Sequence, residues 1–338
     1  MGQSKVTINI VTWNSLTYLP FCLSSIYKQT FTDFSVLIID NASGDGTMDF
    51  IRSNYPQVKT LRNTQNLGFS KAHNQGIKLT KSPYILVMNP DIILSHDFLE
   101  KIIKAAESQI NYQSFSGKTL KFHFQPDDLR EIIFTDKIDS IGIQPHKNRS
   151  FTNLGENETD QGQYEQKREI FGSAGHLVLF KRAALQLSEL KGEYYDEDFF
   201  VYKEDVDLAW RLQLNGLRSL YVPEAVAYHH RKADKPREKN LKTIRQSRKA
   251  KSRLVNFYSY RNHLFVGVKN EFASHFLHYL PLIAWYEVKK LFYLLFFETS
   301  SLKSYISFFQ LLPKMYQKRK FILKNKKNMK KLIKHWFV

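Results

Sequence analysis

The sequence predicts an α/β fold: a doubly wound, mainly parallel sheet with helices on both faces, followed by a C-terminal helical extension. Three observations predict it. Strand-like runs alternate with helix-like stretches of about 10–15 residues, the rhythm of strands joined by crossover helices. Two of the runs, FSVLIID over Phe34–Asp40 and PYILVM over 83–88, are apolar without interruption, as strands covered on both faces are. From about residue 231 the strand-like runs stop and the composition becomes basic and aromatic.

In order, residues 5–12 read as the first strand. A helix over 16–29 follows, with Ser15 as its cap. The second strand, Phe34–Asp40, ends in a carboxylate. Residues 45–55 form a helix that Pro56 terminates, 58–61 a short strand, 69–79 a helix, 83–88 a strand and 96–108 a helix. Residues 115–170 hold short β-like pieces and polar loops, with no chemistry assigned. A strand at 175–180, a helix at 204–215 closed by Gly216, and a strand at 217–222 complete the compact part. This places one domain over 1–230 and a helical region over 231–338.

Charge divides the chain at the same place. The net charge is +18, yet residues 231–338 hold 26 Lys and Arg against 5 Asp and Glu, so the first 230 residues are near neutral. Such a tail meets phosphate, on lipid or on nucleic acid. Cys22 is the single cysteine, which rules out a disulfide within the chain. The opening strand is too short and too polar for a secretory h-region, so a cytoplasmic protein is expected.

Five constellations carry the chemistry. In a doubly wound sheet ligands bind beyond the carboxyl ends of the strands. Asp40, at such an end, opens the run Asp40-Asn41-Ala42-Ser43-Gly44-Asp45-Gly46-Thr47. Its carboxylate can accept the N3–H of uracil or thymine. The run is equally compatible with an ordinary strand–turn–helix. Asn66-Leu67-Gly68, continuing through Asn74 to Gly76, opens a helix whose N–H groups can meet a diphosphate, or simply form a capped surface helix. His73 within it reads as structural. Asn89-Pro90-Asp91 puts a carboxylate just past a buried strand, where Mg²⁺ or Mn²⁺ bridging a diphosphate could bind. Glu204, Asp205 and Asp207 crowd a helix start, and an ionised carboxylate there can act as general base toward a sugar hydroxyl. Helix-dipole complementarity explains the same cluster without chemistry, and Asp207 can pair with Arg211. His229 or His230 can complete a metal site with Asp91, or belong to a solvated loop.

The order of these pieces is more specific than any one of them. With Val11-Thr12-Trp13-Asn14, Gly172-Ser173-Ala174-Gly175 and Tyr260-Arg261-Asn262, the chain resembles the inverting, GT-A-fold glycosyltransferases of family 2, in particular the rhamnosyltransferase-like branch. The resemblance spans about residues 5–230. It implies a nucleotide-sugar donor, dTDP-rhamnose or a UDP-sugar, Mg²⁺ or Mn²⁺, and displacement with inversion onto a hydroxyl of a glycan or lipid-linked acceptor in cell-surface polysaccharide synthesis. Carried over residue by residue, it implies that Thr12, Asn14, Asp40, Asn41, Asn66, Gly68, Asn74 and Asn89 line the nucleotide-sugar site. It also implies that Asp205, beside Glu204, is the base, and that Asp91 and His229 hold the metal. Asn89 stands where the commoner Asp-x-Asp motif has its first Asp, one charge fewer.

The tail refines the location. The most apolar stretch, 272–297, is interrupted by Glu287, Lys289 and Lys290, and Pro281 breaks its start. Val288, Leu291, Phe292, Leu295 and Phe296 form a stripe, which suits a helix lying in the interface rather than crossing it. A second basic helix over 314–334 ends at Trp336-Phe337. Peripheral attachment to the anionic inner face of the cell membrane is therefore expected. A buried helical hairpin is the alternative, and truncation near residue 270 is expected to leave donor chemistry intact. A nucleic-acid-binding protein and a non-catalytic sugar-binding module are the rival functions. No RNA-binding motif supports the first, and the joint presence of Asp40, Asp91 and Asp205 disfavours the second. A dinucleotide-dependent reductase lacks its G-x-G-x-x-G after the first strand.

Overall fold

A computed structural model of the chain describes residues 4–125, 128–129, 131–231, 241–324, 326 and 329–338. Its core begins with β1 (Val6–Thr12), α1 (Leu19–Tyr27), β2 (Phe34–Asp40), α2 (Thr47–Asn54), β3 (Lys59–Arg62), α3 (Gly68–Leu79) and β4 (Tyr84–Met88). There follow β5 (Ile92–Leu94), α4 (Phe98–Ser108), β6 (Tyr112–Phe124), β7 (Ile132–Ser140), β8 (Ile143–Pro145), β9 (Phe151–Asn153), β10 (Arg168–Ile170), β11 (Leu177–Lys181), α5 (Arg182–Leu187), α6 (Glu204–Leu214) and β12 (Arg218–His230).

The main sheet runs β10-β12-β6-β11-β4-β1-β2-β3. The first four strands pair in parallel, as the crossover helices between them require. β11 inserts antiparallel between β4 and β6, and β6 pairs parallel with β12. Helices cover both faces. Leu19, Leu23 and Ile26 of α1 join Ile102 and Ile103 of α4 on one. Ile77 of α3, Leu185 of α5 and Leu208 of α6 pack on the other.

Ser15 does not cap α1 through its side chain. Its carbonyl receives the Tyr18 and Leu19 N–H groups, while its hydroxyl accepts from the Trp13 N–H. The stretch 115–170 folds into β6 to β10, and β12 is far longer than expected because its second half pairs with β5 and β6. That extension carries His229 into the sheet.

The basic region forms α7 (Leu241–Lys249), α8 (Arg253–Asn270), α9 (Ala273–Phe297), α10 (Lys303–Ile322) and α11 (Lys330–Lys334). Pro281 lies inside α9 and does not break it. The basic helix expected over 314–334 is two helices, and Phe337 is core rather than a free aromatic end. Phe265, Phe308, Met315, Ile322 and Phe337 share one apolar cluster with Val206, Trp210 and Leu214 of α6. The change of composition at 230 is therefore not a division of the core. Truncation near residue 270 would remove Phe308, Met315, Ile322 and Phe337 from that cluster, packing that bears on the expectation of an intact shortened enzyme. No helix among the described residues is long and apolar enough to cross a membrane.

Candidate active site

A buried cluster forms where β4, β7, β11 and β12 meet. Asp91 follows β4, Asp139 lies on β7, His176 precedes β11, His229 is on β12 and Arg231 follows it. The antiparallel pairing of β5 with β12 sets Ile92 opposite His229 and so brings Asp91 alongside. Asp91 Oδ1 stands 3.4 Å from His229 Nε2, and His229 Nδ1 lies 2.8 Å from Asp139 Oδ2. Arg231 donates to both oxygens of Asp139, at 2.8 and 3.1 Å. His176 stacks on His229 with ring centroids 4.5 Å apart and approaches Asp139 at 3.8 Å.

Burial would lower the pKa of His229, but the carboxylates of Asp91 and Asp139 outweigh it and raise it to about 9. Burial and the charge on His229 push His176 down to about 3. Asp91 falls below the usual carboxylate range: its burial acts the other way, and His229, Arg231 and His176 prevail. Asp139 is held well below that range by the same balance. Asp91 Oδ1 is shielded from solvent, and the group facing it is His229 Nε2, at 3.4 Å. A shielded carboxylate oxygen opposite an imidazole nitrogen whose partner nitrogen is already engaged is a fitting place for a divalent cation in place of the imidazole proton. Asp139, His176 and His229 also bring one ligand atom each within 4.8 Å of one another. His230 is not part of this group, since its ring sits among Tyr18, Phe122 and Phe124.

The second half of the site begins one residue away. His176 belongs to the cluster, and the N–H of the preceding Gly175 donates to Asp205 Oδ2 at 3.0 Å. A Cβ on Gly175 would stand 2.9 Å from that of Asp205, so glycine permits the approach. Asp205 is part-exposed at the start of α6, while Glu204 is buried with Oε2 unpaired. Burial and the Asp205 charge raise Glu204 to about 8. That direction favours the protonated form of Glu204 and leaves the part-exposed Asp205 as the better placed of the pair to meet an acceptor. Asp207 is fully buried and structural: it binds Arg211 at 3.0 Å, Lys269 at 2.7 Å and Asn270 at 2.8 Å.

The turn before α6 is strained. Phe200, Tyr202 and Lys203 all have positive φ, near 63°, 71° and 71°. Asn262 of α8 braces it, its amide donating to the carbonyls of Phe199, Val201 and Tyr202 at 2.8–2.9 Å. The neighbouring Arg261 donates to the Asp198 carbonyl.

The donor half is closely knit. Asp40 has no exposed surface; its oxygens accept from Thr12 Oγ1 at 2.9 Å, from the Ser43 N–H and hydroxyl, and from Arg62 at 3.5 Å. The Arg62 side chain beside it is half exposed. Thr12, like Asp40, is buried as a strut. Asn14 is exposed, and its Oδ1 accepts the Gly44 N–H. Asn41 is buried and tied to Asn63, Asn66 and the Gly68 carbonyl. Gly68, with φ +82°, lies under the Phe200 ring and carbonyl, and that carbonyl receives the Ser70 N–H. The start of α3 is thus covered by the turn before α6. Asn74 is buried and clamps Tyr195 and Glu197 from both ends of its amide, so it positions that segment. Asn66 and Asn89 retain surface. His73 is buried, with its pKa lowered to about 3 by burial alone, as a structural histidine should be.

The family model described as glycosyl transferase family 2 matches residues 7–187. The chain belongs to glycosyl transferase family 2. It is similar to the N-acetylglucosaminyl-diphospho-decaprenol L-rhamnosyltransferase of Mycobacterium tuberculosis, with 27% identity over 240 residues, covering 65% of this chain and 74% of the relative. Among solved structures, GalNAc-T7 with UDP, GalNAc and Mn²⁺ aligns at TM-score 0.58 and 13% identity, over 79% of this chain and 48% of that one. The mannosyltransferase PcManGT from Pyrobaculum calidifontis, with GDP-Man and Mn²⁺, aligns at TM-score 0.50 and 16% identity, over 91% and 75%. At those identities the likeness shows the fold, which is the GT-A type that the motifs implied. The chain is a glycosyltransferase that uses a nucleotide-sugar donor.

Within this family 2 enzyme, sequence reading missed Asp139, His176, Arg231 and Arg62. Asp139 ends the alternating run Thr135 to Asp139 on β7, and nothing local distinguishes it from the exposed Asp136. Tyr260-Arg261-Asn262 was legible as a motif, but its task of bracing the turn was not.

Proposed function

We propose that the chain is an inverting, metal-dependent hexosyltransferase acting from dTDP-rhamnose, or failing that a UDP-sugar, on a lipid-linked glycan acceptor. One observation carries the mechanism: adjacent residues Gly175 and His176 touch Asp205 on one side and the Asp91–His229 group on the other. Leaving-group and acceptor chemistry thereby share one cleft, and orientation of two bound substrates supplies much of a rate enhancement.

Asp91 Oδ1 and His229 Nε2 would hold Mg²⁺ or Mn²⁺, which, when bound, offsets the charge that develops on the departing diphosphate. Asp139 fixes the His229 ring by accepting from Nδ1, and Arg231 fixes Asp139. Asp205, oriented by the Gly175 N–H, accepts the proton of the acceptor hydroxyl as that oxygen attacks the anomeric carbon from the face opposite the leaving group. Arg62 over Asp40 meets the donor base, and Asn14, Asn66 and Asn89 border the donor. The rhamnosyl donor and the lipid-linked acceptor are favoured by the name of the Mycobacterium tuberculosis relative. Peripheral attachment to the cytoplasmic membrane face, and a part in polysaccharide synthesis, are favoured by the tail: Trp285, Phe292 and Phe296 of α9 are all about 60% exposed on a strongly basic region.

Donor hydrolysis across nucleotide sugars, with Mg²⁺, Mn²⁺ or EDTA, tests the reading. Metal-dependent release of nucleoside diphosphate from dTDP-rhamnose above all others is expected. Hydrolysis that EDTA leaves unchanged removes the metal, and preference for another donor removes rhamnose.

A further inference from the structure

Between α8, α9 and α10 lies a cavity of about 540 Å³. Its walls are apolar, with Leu264 and Val268 of α8, Phe276, Leu280 and Ile283 of α9, and Phe308 of α10 among them. Ligand sites commonly enclose about 300–1,000 Å³. Phe276 and Leu280 are also exposed, so the cavity opens on the apolar flank of α9. Arg149, which donates to Glu271, closes one end. His263 and Glu287, 2.8 Å apart, close the other, and Lys290 joins Glu287 there at 3.0 Å. A Cβ on Gly267, in the wall, would meet nothing within 4 Å.

We propose that this cavity receives the hydrocarbon chain of the lipid-linked acceptor, an inference that rests on the transferase reading above and names where that acceptor is held. The shape separates this occupant from a partner peptide. A helix about 10–12 Å across with a pitch of about 5.4 Å fills roughly 400–600 Å³ per turn, so the cavity would take a single turn, whereas a thin chain threads it. A bilayer surface would cover the outer flank of α9, and a single chain drawn from that bilayer can enter the slot where it opens there. The charges agree. Lys290 and Arg149 are paired with Glu287 and Glu271, and the attraction for a phosphate head comes from the surrounding helices, since residues 231–338 hold 26 Lys and Arg against 5 Asp and Glu. The site is also coupled to the chemistry by one step of chain: His263 lines the cavity, and Asn262 before it holds the turn that leads into Glu204 and Asp205.

The test uses the full-length protein, a diazirine-tagged farnesyl phosphate as probe, and peptide mapping of the label. Label is expected on cavity residues of α8 and α9, competed by untagged farnesyl phosphate and not by inorganic phosphate. Gly267→Phe adds a ring at a wall position whose Cβ has open space around it and should reduce that labelling at least about tenfold, since each buried methylene is worth roughly a fourfold factor in affinity. The same variant should lose transfer to a long-chain lipid-linked acceptor by a similar factor while keeping donor hydrolysis and transfer to the same glycan on a short, water-soluble aglycone. Label confined to the outer flank at Trp285, Phe292 and Phe296, competition by inorganic phosphate, or unchanged long-chain transfer by Gly267→Phe would each overturn the proposal. These outcomes are distinct from failure of the transferase reading, in which wild-type protein hydrolyses no donor while the labelling pattern can still be read.

Discussion

Two buried charge clusters lie on either side of α6, and they differ in how completely they are satisfied. In one, Lys269 and Lys318 neutralise Asp196, Lys269 also meets Asp207, and Arg211 and Asn270 complete the shell. Asp196 and Asp207 each have both oxygens engaged. In the other, Asp139 is saturated by His229 and Arg231, but Asp91 keeps a shielded oxygen with only His229 Nε2 near it, at 3.4 Å. Burial and perturbed ionisation are common to both, so neither property alone marks the chemistry. The unfinished coordination at Asp91 does. The saturated cluster instead joins the basic helices to the segment that bears the base, which is why the tail belongs to the enzyme's core.

The comparison can be broken in order of expected effect. Lys269→Met leaves two buried carboxylates short of a cation and should cost about 3–5 kcal/mol, much of a domain's margin. Urea denaturation followed by fluorescence measures it, and a midpoint equal to wild type would mean the cluster is not the joint described. Asp205→Asn should reduce turnover at least about a hundredfold with an unchanged urea midpoint; near-normal turnover would remove Asp205 from the role of base. Asp139→Asn, which loosens the His229 ring and removes a charge beside the site, should weaken Mn²⁺ binding about 10–100-fold in a calorimetric titration, and do so without nucleotide present. Full Mn²⁺ affinity in that variant would assign Asp139 to stability alone.

The smallest effect concerns Glu204. Its folded-state pKa, about 8, lies above its ordinary value of 4.5, so the unfolded chain gives up the proton first. Glu204 therefore contributes stability that is fully present below pH 4.5 and is lost as pH rises through about 8. Glu204→Gln should flatten the decline in thermal midpoint between those limits and retain activity at pH 7. An unaltered pH slope, or an inactive but folded variant, would return Glu204 to the reaction itself.

How far the sequence could be read follows the range of the interactions involved. The parallel half was legible because FSVLIID and PYILVM are local, uninterrupted patterns, and the positions of Asp91 and Asp205 followed from the element ends beside them. The stripe on α9 was legible for the same reason, and its members are exposed as expected. Local reading stops where a residue's partners lie across the sheet. Sequence puts Asp40 and Asn74 among the donor-site candidates, and only the fold shows that Arg62, Ser43 and Thr12 hold the first and Tyr195 and Glu197 the second.

By itself, then, the sequence determined the class of fold, the family and the carboxylates at strand and helix ends, because periodicity and short motifs are properties of neighbouring residues. Only the tertiary structure decided that Asp139 orients His229 from 90 positions away, that Lys269 and Asn262 tie the tail to the segment before Asp205, and that burial beside Asp205 raises the Glu204 carboxyl. Those outcomes rest on burial and on charges brought together by strand pairing and helix packing, and neither is encoded within any one stretch of chain.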